Sequence, residues 1–226
     1  MQSKNTRDFG LNGFKLLVYG QAGAGKTSLI PTLPRPIALS AEGGLLSIQD
    51  NAVPYIEIKT VADMTDAYLW LTQSAEADGF DSIALDSISE IAETVLANEK
   101  ENAKDPRQAY GALQDIMGRM IRSFRDLNGK HVYFSAKLEK QNDEMNRILY
   151  YPAMPGNKLA QGLPYFFDEV LALRVEKAPD GGVFRTLMTE SDGLWLAKDR
   201  SGKLGPWEAP HLGQIIEKIN YKEVAA

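Results

Sequence analysis

Gly20-Gln21-Ala22-Gly23-Ala24-Gly25-Lys26-Thr27 is the stretch whose reading decides the fold. It meets the pattern G-x-x-x-x-G-K-[ST] at every fixed position. The run before it, Phe14-Lys15-Leu16-Leu17-Val18-Tyr19, reads as a buried strand, and Thr27-Ser28-Leu29-Ile30 after it can start a helix. In that setting the glycines let the backbone curl so that successive N–H groups and a helix N-terminus point at phosphates. The expected nucleotide contacts are Gly20 through Thr27 together with Ser28. Lys26 would reach the β- and γ-phosphates of ATP, and the Thr27 hydroxyl would ligate Mg²⁺. The plainer reading is a Gly/Ala-rich turn, which the strand and helix on either side disfavour.

Outward from this loop the chain alternates strands and helices. Pro31 and Pro34 keep the first helix short, because proline lacks the N–H that a helix interior needs. Residues 36–40 read as a second strand ending at Ala41-Glu42-Gly43-Gly44, and residues 54–58 as a third. A helix over 61–74 puts Met64, Ala67, Tyr68 and Leu71 on one face. Residues 81–86 form a buried strand closing on Asp86, followed by helices over 88–102 and 107–127 and a strand over 131–135. Residues 137–156 are polar and read as a long loop, of the kind that is usually functional or mobile. A short helix over 157–167, strands over 169–175, 183–190 and 194–197, and a last helix over 212–222 complete the chain. The class is α/β: a mostly parallel central sheet with right-handed crossovers, extended by antiparallel C-terminal strands, with helices on both faces. Residues 1–12 read as a loose arm and residues 13–226 as one domain.

Bulk properties narrow the function. The 226 residues contain no cysteine, which removes disulfides and thiolate metal sites. The two histidines, His131 and His211, stand too far apart in sequence to suggest zinc. The start of the chain lacks the apolar core of a signal peptide, and no apolar run approaches the roughly 20 residues of a membrane span. A cytoplasmic location with no membrane partner is the expectation. A net charge of −5 argues mildly against a dedicated duplex-DNA reader and leaves room for local basic loops.

Two carboxylates extend the loop into a candidate active site. Asp86 ends a strand of mostly apolar residues, where it can hold Mg²⁺ through water beside Thr27. Helix capping is the competing role, and Ser87 or Ser89 suits it better. Glu42 follows the second strand, where Gly43-Gly44 permit a tight turn. From there it can orient and polarise the attacking water, and the competing reading is an exposed loop glutamate.

The order of these features resembles the core of the RecA-like ATPases. The phosphate loop, a strand ending in Ala41-Glu42-Gly43-Gly44, and then Ile83-Ala84-Leu85-Asp86-Ser87 carry the likeness. The resemblance implies that Glu42 activates water, that Asp86 is the metal-site aspartate, and that the tip Ser135-Ala136-Lys137 stands where many recombinases place a glutamine sensor. Leu196-Ala197-Lys198-Asp199-Arg200-Ser201-Gly202 is similar to the Lys-x-Arg finger of RecA-fold hexameric helicases. Cations at i and i+2 on a strand end share one side, so Lys198 and Arg200 could meet the γ-phosphate of a neighbouring subunit. An ordinary solvated hairpin is the alternative. From about Phe14 to Asn220 the chain resembles the compact phage-encoded RecA-like ATPases of the recombination and single-strand annealing type.

That resemblance implies a ring or filament of identical subunits, single-stranded DNA as client, a single-stranded-DNA-binding protein as possible partner, and the host cytoplasm as location. Two loops would face DNA. The first offers Lys104, Arg107 and Tyr110. The second offers Lys137, Lys140, Arg147, Tyr150, Tyr151 and Lys158, cations for phosphates and rings for base stacking. Asp105, Glu139, Asp143 and Glu144 dilute that charge, and Arg119, Arg122 and Arg125 fit a solvated helical face equally well. Two other functions stay open: a nucleotide-gated adaptor or loader for a replication protein, and a small-molecule or nucleotide kinase. The second is disfavoured because residues 137–157 contain a single arginine, Arg147.

Overall fold

Ten strands form one sheet in the computed structural model, which describes residues 13–220. The expected arm, residues 1–12, lies outside the described residues. At the centre is β1 (Lys15–Gly20), whose six residues are all buried. Its side chains alternate between two cores, Leu17 and Tyr19 on one face and Leu16 and Val18 on the other. Layers on both faces explain why the run is continuously apolar rather than alternating with polar residues.

The strands beside β1 are β5 (His131–Asn142) and β7 (Glu169–Lys177), both parallel to it. Beyond β5 come β4 (Ser82–Asp86), β2 (Pro36–Ser40) and β3 (Tyr55–Glu57), also parallel. Because these strands run the same way, Gly20, Ser40, Asp86 and Ser135 all arrive at one edge of the sheet. That edge carries the site. Beyond β7 lie β8 (Val183–Met188) and β10 (Trp207–Glu208), each antiparallel to its predecessor, and β9 (Lys198–Asp199) pairs with the start of β7.

One face is covered by α1 (Val61–Gln73), α2 (Ile88–Asn102), α3 (Pro106–Arg125) and α4 (Asn157–Gly162), whose buried residues share a core with Leu17 and Leu85. The other is covered by α5 (Leu212–Asn220) and by 3₁₀ turns at Thr27–Thr32 and Leu45–Asn51. Local chemistry sets the helix starts. Thr60 and Asp63 form a reciprocal capping box on α1, Ser87 caps α2, and Asp105 caps α3 with Pro106 in its first turn.

Four expectations need correction. The segment after the phosphate loop is a 3₁₀ turn containing Pro31, not a short α-helix. Residues 137–156 are not a long loop. β5 continues to Asn142 and pairs antiparallel with β6 (Ile148–Pro152), closed by Asp143, whose side chain accepts from the N–H groups of Met145 and Arg147 at 2.9 and 2.8 Å. Charges on the exposed positions hid this hairpin. The residues 194–197 are not a strand either: Asp192 accepts the N–H groups of Leu194 and Trp195 and turns the chain, leaving a single bridge from Trp195 to Tyr150. Finally, β7 joins β1 in parallel, so the antiparallel extension begins only at β8.

Candidate nucleotide site

Past Gly20 the loop turns through Gly23 at φ +74° and Gly25 at φ +104°, a backbone region that side chains disfavour. Gly20 is also sterically required, since a Cβ there would lie 2.8 Å from the carbonyl oxygen of Leu173. Ala24 is buried under the loop, whereas Gln21, Ala22 and Ser28 stand on its exposed rim. The Lys26 ammonium folds back and donates to the carbonyls of Gly20 at 2.9 Å and Gln21 at 3.0 Å. Burial lowers its pKa, and the carboxylates of Glu42 and Asp86 oppose that shift.

The metal-site candidates meet directly. The Thr27 hydroxyl donates to Asp86 Oδ2 at 2.7 Å, and Asp86, 2% exposed, accepts the Ser135 hydroxyl on Oδ1. Ser135 thus brings the middle of β5 to the same carboxylate. Glu42 is exposed at the end of β2 and accepts the Ser87 hydroxyl. The N–H of Ala41 donates to the Asp86 carbonyl at 2.8 Å, which ties the two carboxylate-bearing strand ends together. Lys26, Thr27, Glu42 and Asp86 line one cavity of about 700 Å³. Such an arrangement can hold a triphosphate, a hard cation and a water to be activated.

Three contacts had no local sequence signal. Tyr133, fully buried on β5, donates its hydroxyl to the carbonyl of Lys26 at 2.9 Å and pins the start of the turn after the loop. Burial raises its pKa well above 10 and keeps it a donor. Ser87 reaches Glu42 across 45 positions. Arg185, on β8, donates from Nε to the carbonyl of Ala24 at 2.8 Å and lines the same cavity. Each contact is made by strand order rather than by chain proximity, and no spacing rule reveals it.

The finger candidates lie elsewhere. β9 pairs with Glu169 and Val170, which register with Leu16 and Leu17 of β1. At about 3.3 Å per residue, those levels are about 10 and 13 Å from Gly20 along the strand. Lys198 donates to the carbonyls of Pro164 at 2.7 Å and Phe167 at 2.6 Å, and burial lowers its pKa. Arg200 pairs with Asp168 at 3.0 Å.

The nucleic-acid candidates divide. Arg107, Tyr110 and Lys158, from both segments, line one shallow depression, and Lys104 is exposed nearby in sequence. Gly156 lets the Tyr110 ring pack close: a Cβ there would stand 3.3 Å from it. Lys140 and Arg147 are exposed on the β5–β6 hairpin, with Arg147 paired to Asp143 at 2.6 Å. Lys137 is held by Glu90 at 2.6 Å and Glu93 at 2.9 Å. Tyr150 is stacked on Trp195 at 4.3 Å, with Arg174 over the other ring system at 4.9 Å, and Tyr151 is half-buried beside it. Lys137 and Tyr150 therefore already have intramolecular partners. Among the described residues no helix is long and apolar enough to cross a membrane.

A family model described as an AAA domain matches residues 12–201. No curated protein matches by sequence. Among solved structures, a KaiC-like protein from the hyperthermophilic archaeon Pyrococcus horikoshii OT3 is 11% identical, with 78% of each chain covered and a TM-score of 0.41. A prototypical ATPase from the type III secretion system of pathogenic bacteria is 13% identical over 72% of this chain, with a TM-score of 0.45. The match spans about half, 52%, of that second protein.

Proposed function

The chain belongs to the AAA domain family, and from that premise we propose that it hydrolyses ATP at the Gly20–Thr27 edge of the sheet, as an oligomer acting on single-stranded DNA. One observation carries the hydrolytic part: Lys26, Thr27, Glu42 and Asp86 line a single cavity, with the Thr27 hydroxyl 2.7 Å from Asp86. Lys26 is poised to exchange two loop carbonyls for phosphate oxygens, a stronger charge-assisted contact. The hydroxyl and the buried carboxylate are hard oxygen donors suited to Mg²⁺. The ion, when bound there, supplies neutralisation of the β- and γ-phosphate charge. Glu42 takes a proton from, or orients, the attacking water. Its hydrogen bond from Ser87 fixes the carboxylate while leaving it exposed to the cavity.

Along the sheet, the subunit's own Lys198 sits about 10 Å, and Arg200 about 16 Å, from the end of β1. That placement supports their service to a neighbour rather than to the same chain. The DNA reading is supported by the meeting of Arg107, Tyr110 and Lys158 in one depression, where cations and a half-exposed ring suit a single strand. Recombination or strand annealing of the phage-encoded RecA-like type is the process that the sequence resemblance suggests.

ATPase assays with and without single-stranded DNA, combined with sizing in ATP, test the reading. Turnover that rises with DNA and with assembly is expected. A protein that stays monomeric in ATP and hydrolyses at a rate indifferent to DNA would leave only a nucleotide-binding adaptor.

A further inference from the structure

The cavity has two sides, and the residues considered so far occupy one of them. Glu42 and Asp86 come from β2 and β4, on the β5 side of β1, and they place the γ-phosphate end of a nucleotide there. The opposite wall is built by β7, β8 and the segment between β10 and α5, and it carries Leu173, Arg185 and Pro210. A triphosphate held by Lys26 with its γ end at Glu42 must direct its nucleoside towards that second wall.

Arg185 is held there in a specific way. Its Nε–H donates to the carbonyl of Ala24 at 2.8 Å, across 161 positions. In a peptide unit the C=O points away from the N–H, so a group bonded to the Ala24 carbonyl sits on the outer face of the loop, outside the ring of phosphate-binding N–H groups. The side chain lies directly over Gly25: a Cβ there would be in van der Waals contact with Arg185 Nε at 3.4 Å and Cδ at 3.5 Å. Among the described residues Arg185 forms no ion pair, in contrast to Arg174 and Arg200. A planar cation with one N–H committed to the loop has its remaining donors and its flat face available.

We propose that Arg185 anchors the nucleoside half of the bound nucleotide, its guanidinium plane lying against the base, with Pro210 contributing to the same wall. The inference rests on the ATP-site reading. It assigns to β8 a role in nucleotide affinity that no motif in the phosphate loop supplies. Stacking of a guanidinium on an aromatic face is the favoured contact, since the cation is placed beside the loop rather than within it.

The test compares wild type, Arg185→Ala and Arg185→Lys for binding of ATP, ADP and inorganic tripolyphosphate by calorimetry in Mg²⁺ buffer. Thermal melting is recorded alongside, and Arg185 is exposed, so folding should survive. Expected is a loss of about tenfold in affinity for ATP and ADP in both variants, with tripolyphosphate binding unchanged. An equal loss for tripolyphosphate overturns the proposal, because Arg185 would then brace the loop or read phosphate. Full ATP affinity in Arg185→Ala overturns it as well, and full affinity in Arg185→Lys alone replaces stacking with simple charge. The parent reading fails separately: wild type would not bind ATP, or Lys26→Ala would bind it undiminished, and either result removes both.

Discussion

Replacing Glu169 with Gln should abolish a pH dependence of stability that is built into the start of β7. Glu169 is 1% exposed, and Asp199 stands opposite it across the β7–β9 pair. Burial first, and then the neighbouring Asp199, push its pKa from 4.5 to about 8. The unfolded chain releases this proton near pH 4.5, while the native protein retains it until about pH 8. The stabilisation is therefore complete below pH 4.5 and is lost progressively as pH rises to 8. Each pH unit withdraws about 1.4 kcal/mol, on the order of 5 kcal/mol across the window as an upper figure. Asp199 itself is held below 3.8 and titrates outside this range. Urea unfolding at pH 5, 6, 7 and 8 reads the effect. The difference in stability between variant and wild type should move steadily in favour of Glu169→Gln with rising pH, by several kcal/mol in total. A difference that stays constant across the series refutes the reasoning. The consequence reaches function, because β9 carries Lys198 and leads into Arg200, and amide protection factors in residues 198–202, corrected for the intrinsic pH dependence of exchange, should fall above pH 8 in wild type alone.

Glu42→Gln should keep ATP affinity by calorimetry and lose about 10²- to 10⁴-fold in kcat, the usual contribution of a positioned base; normal turnover would move that role elsewhere. Mixing Lys26→Ala subunits with Arg200→Ala subunits should restore part of the ATPase rate, because a mixed interface joins an intact loop to an intact finger. Assemblies shown to be mixed by co-purification of differently tagged subunits, yet inactive, would return residues 198–202 to an ordinary hairpin.

What could be read from the chain alone was what its local spacing encodes. The loop from Gly20 to Thr27 needs glycines at fixed intervals, and Glu42 follows β2, as Asp86 ends β4, after short apolar runs that mark them as buried strands. Those requirements are contiguous, so one sequence displays them. The β5–β6 hairpin was hidden because its exposed positions carry the charges that a loop would carry, while its pairing depends on Leu138 meeting Pro152. Ser135 on Asp86, Tyr133 on the Lys26 carbonyl and Arg185 on the Ala24 carbonyl join positions 49, 107 and 161 apart. Only strand order brings them together, and single-sequence spacing has no term for strand order.

The finger residues show the same division with a mechanistic consequence. Lys198 and Arg200 were legible as paired cations, but not the Pro164 and Phe167 carbonyls and the Asp168 carboxylate that hold them. A neighbour's phosphate can recruit these cations only by displacing those partners. The Asp168 pair is exposed on the arginine side, where such ion pairs contribute up to about 1 kcal/mol and give way readily. Lys198, half-buried with two carbonyls, costs more to release, since both acceptors and the ammonium lose their bonds together. Arg200 should thus engage a neighbouring nucleotide first and Lys198 only once the interface has closed, which would make hydrolysis depend on completed assembly rather than on first contact. Arg200→Ala should accordingly weaken ATP-dependent assembly as read by sizing, whereas Lys198→Ala should leave assembly intact and lower kcat.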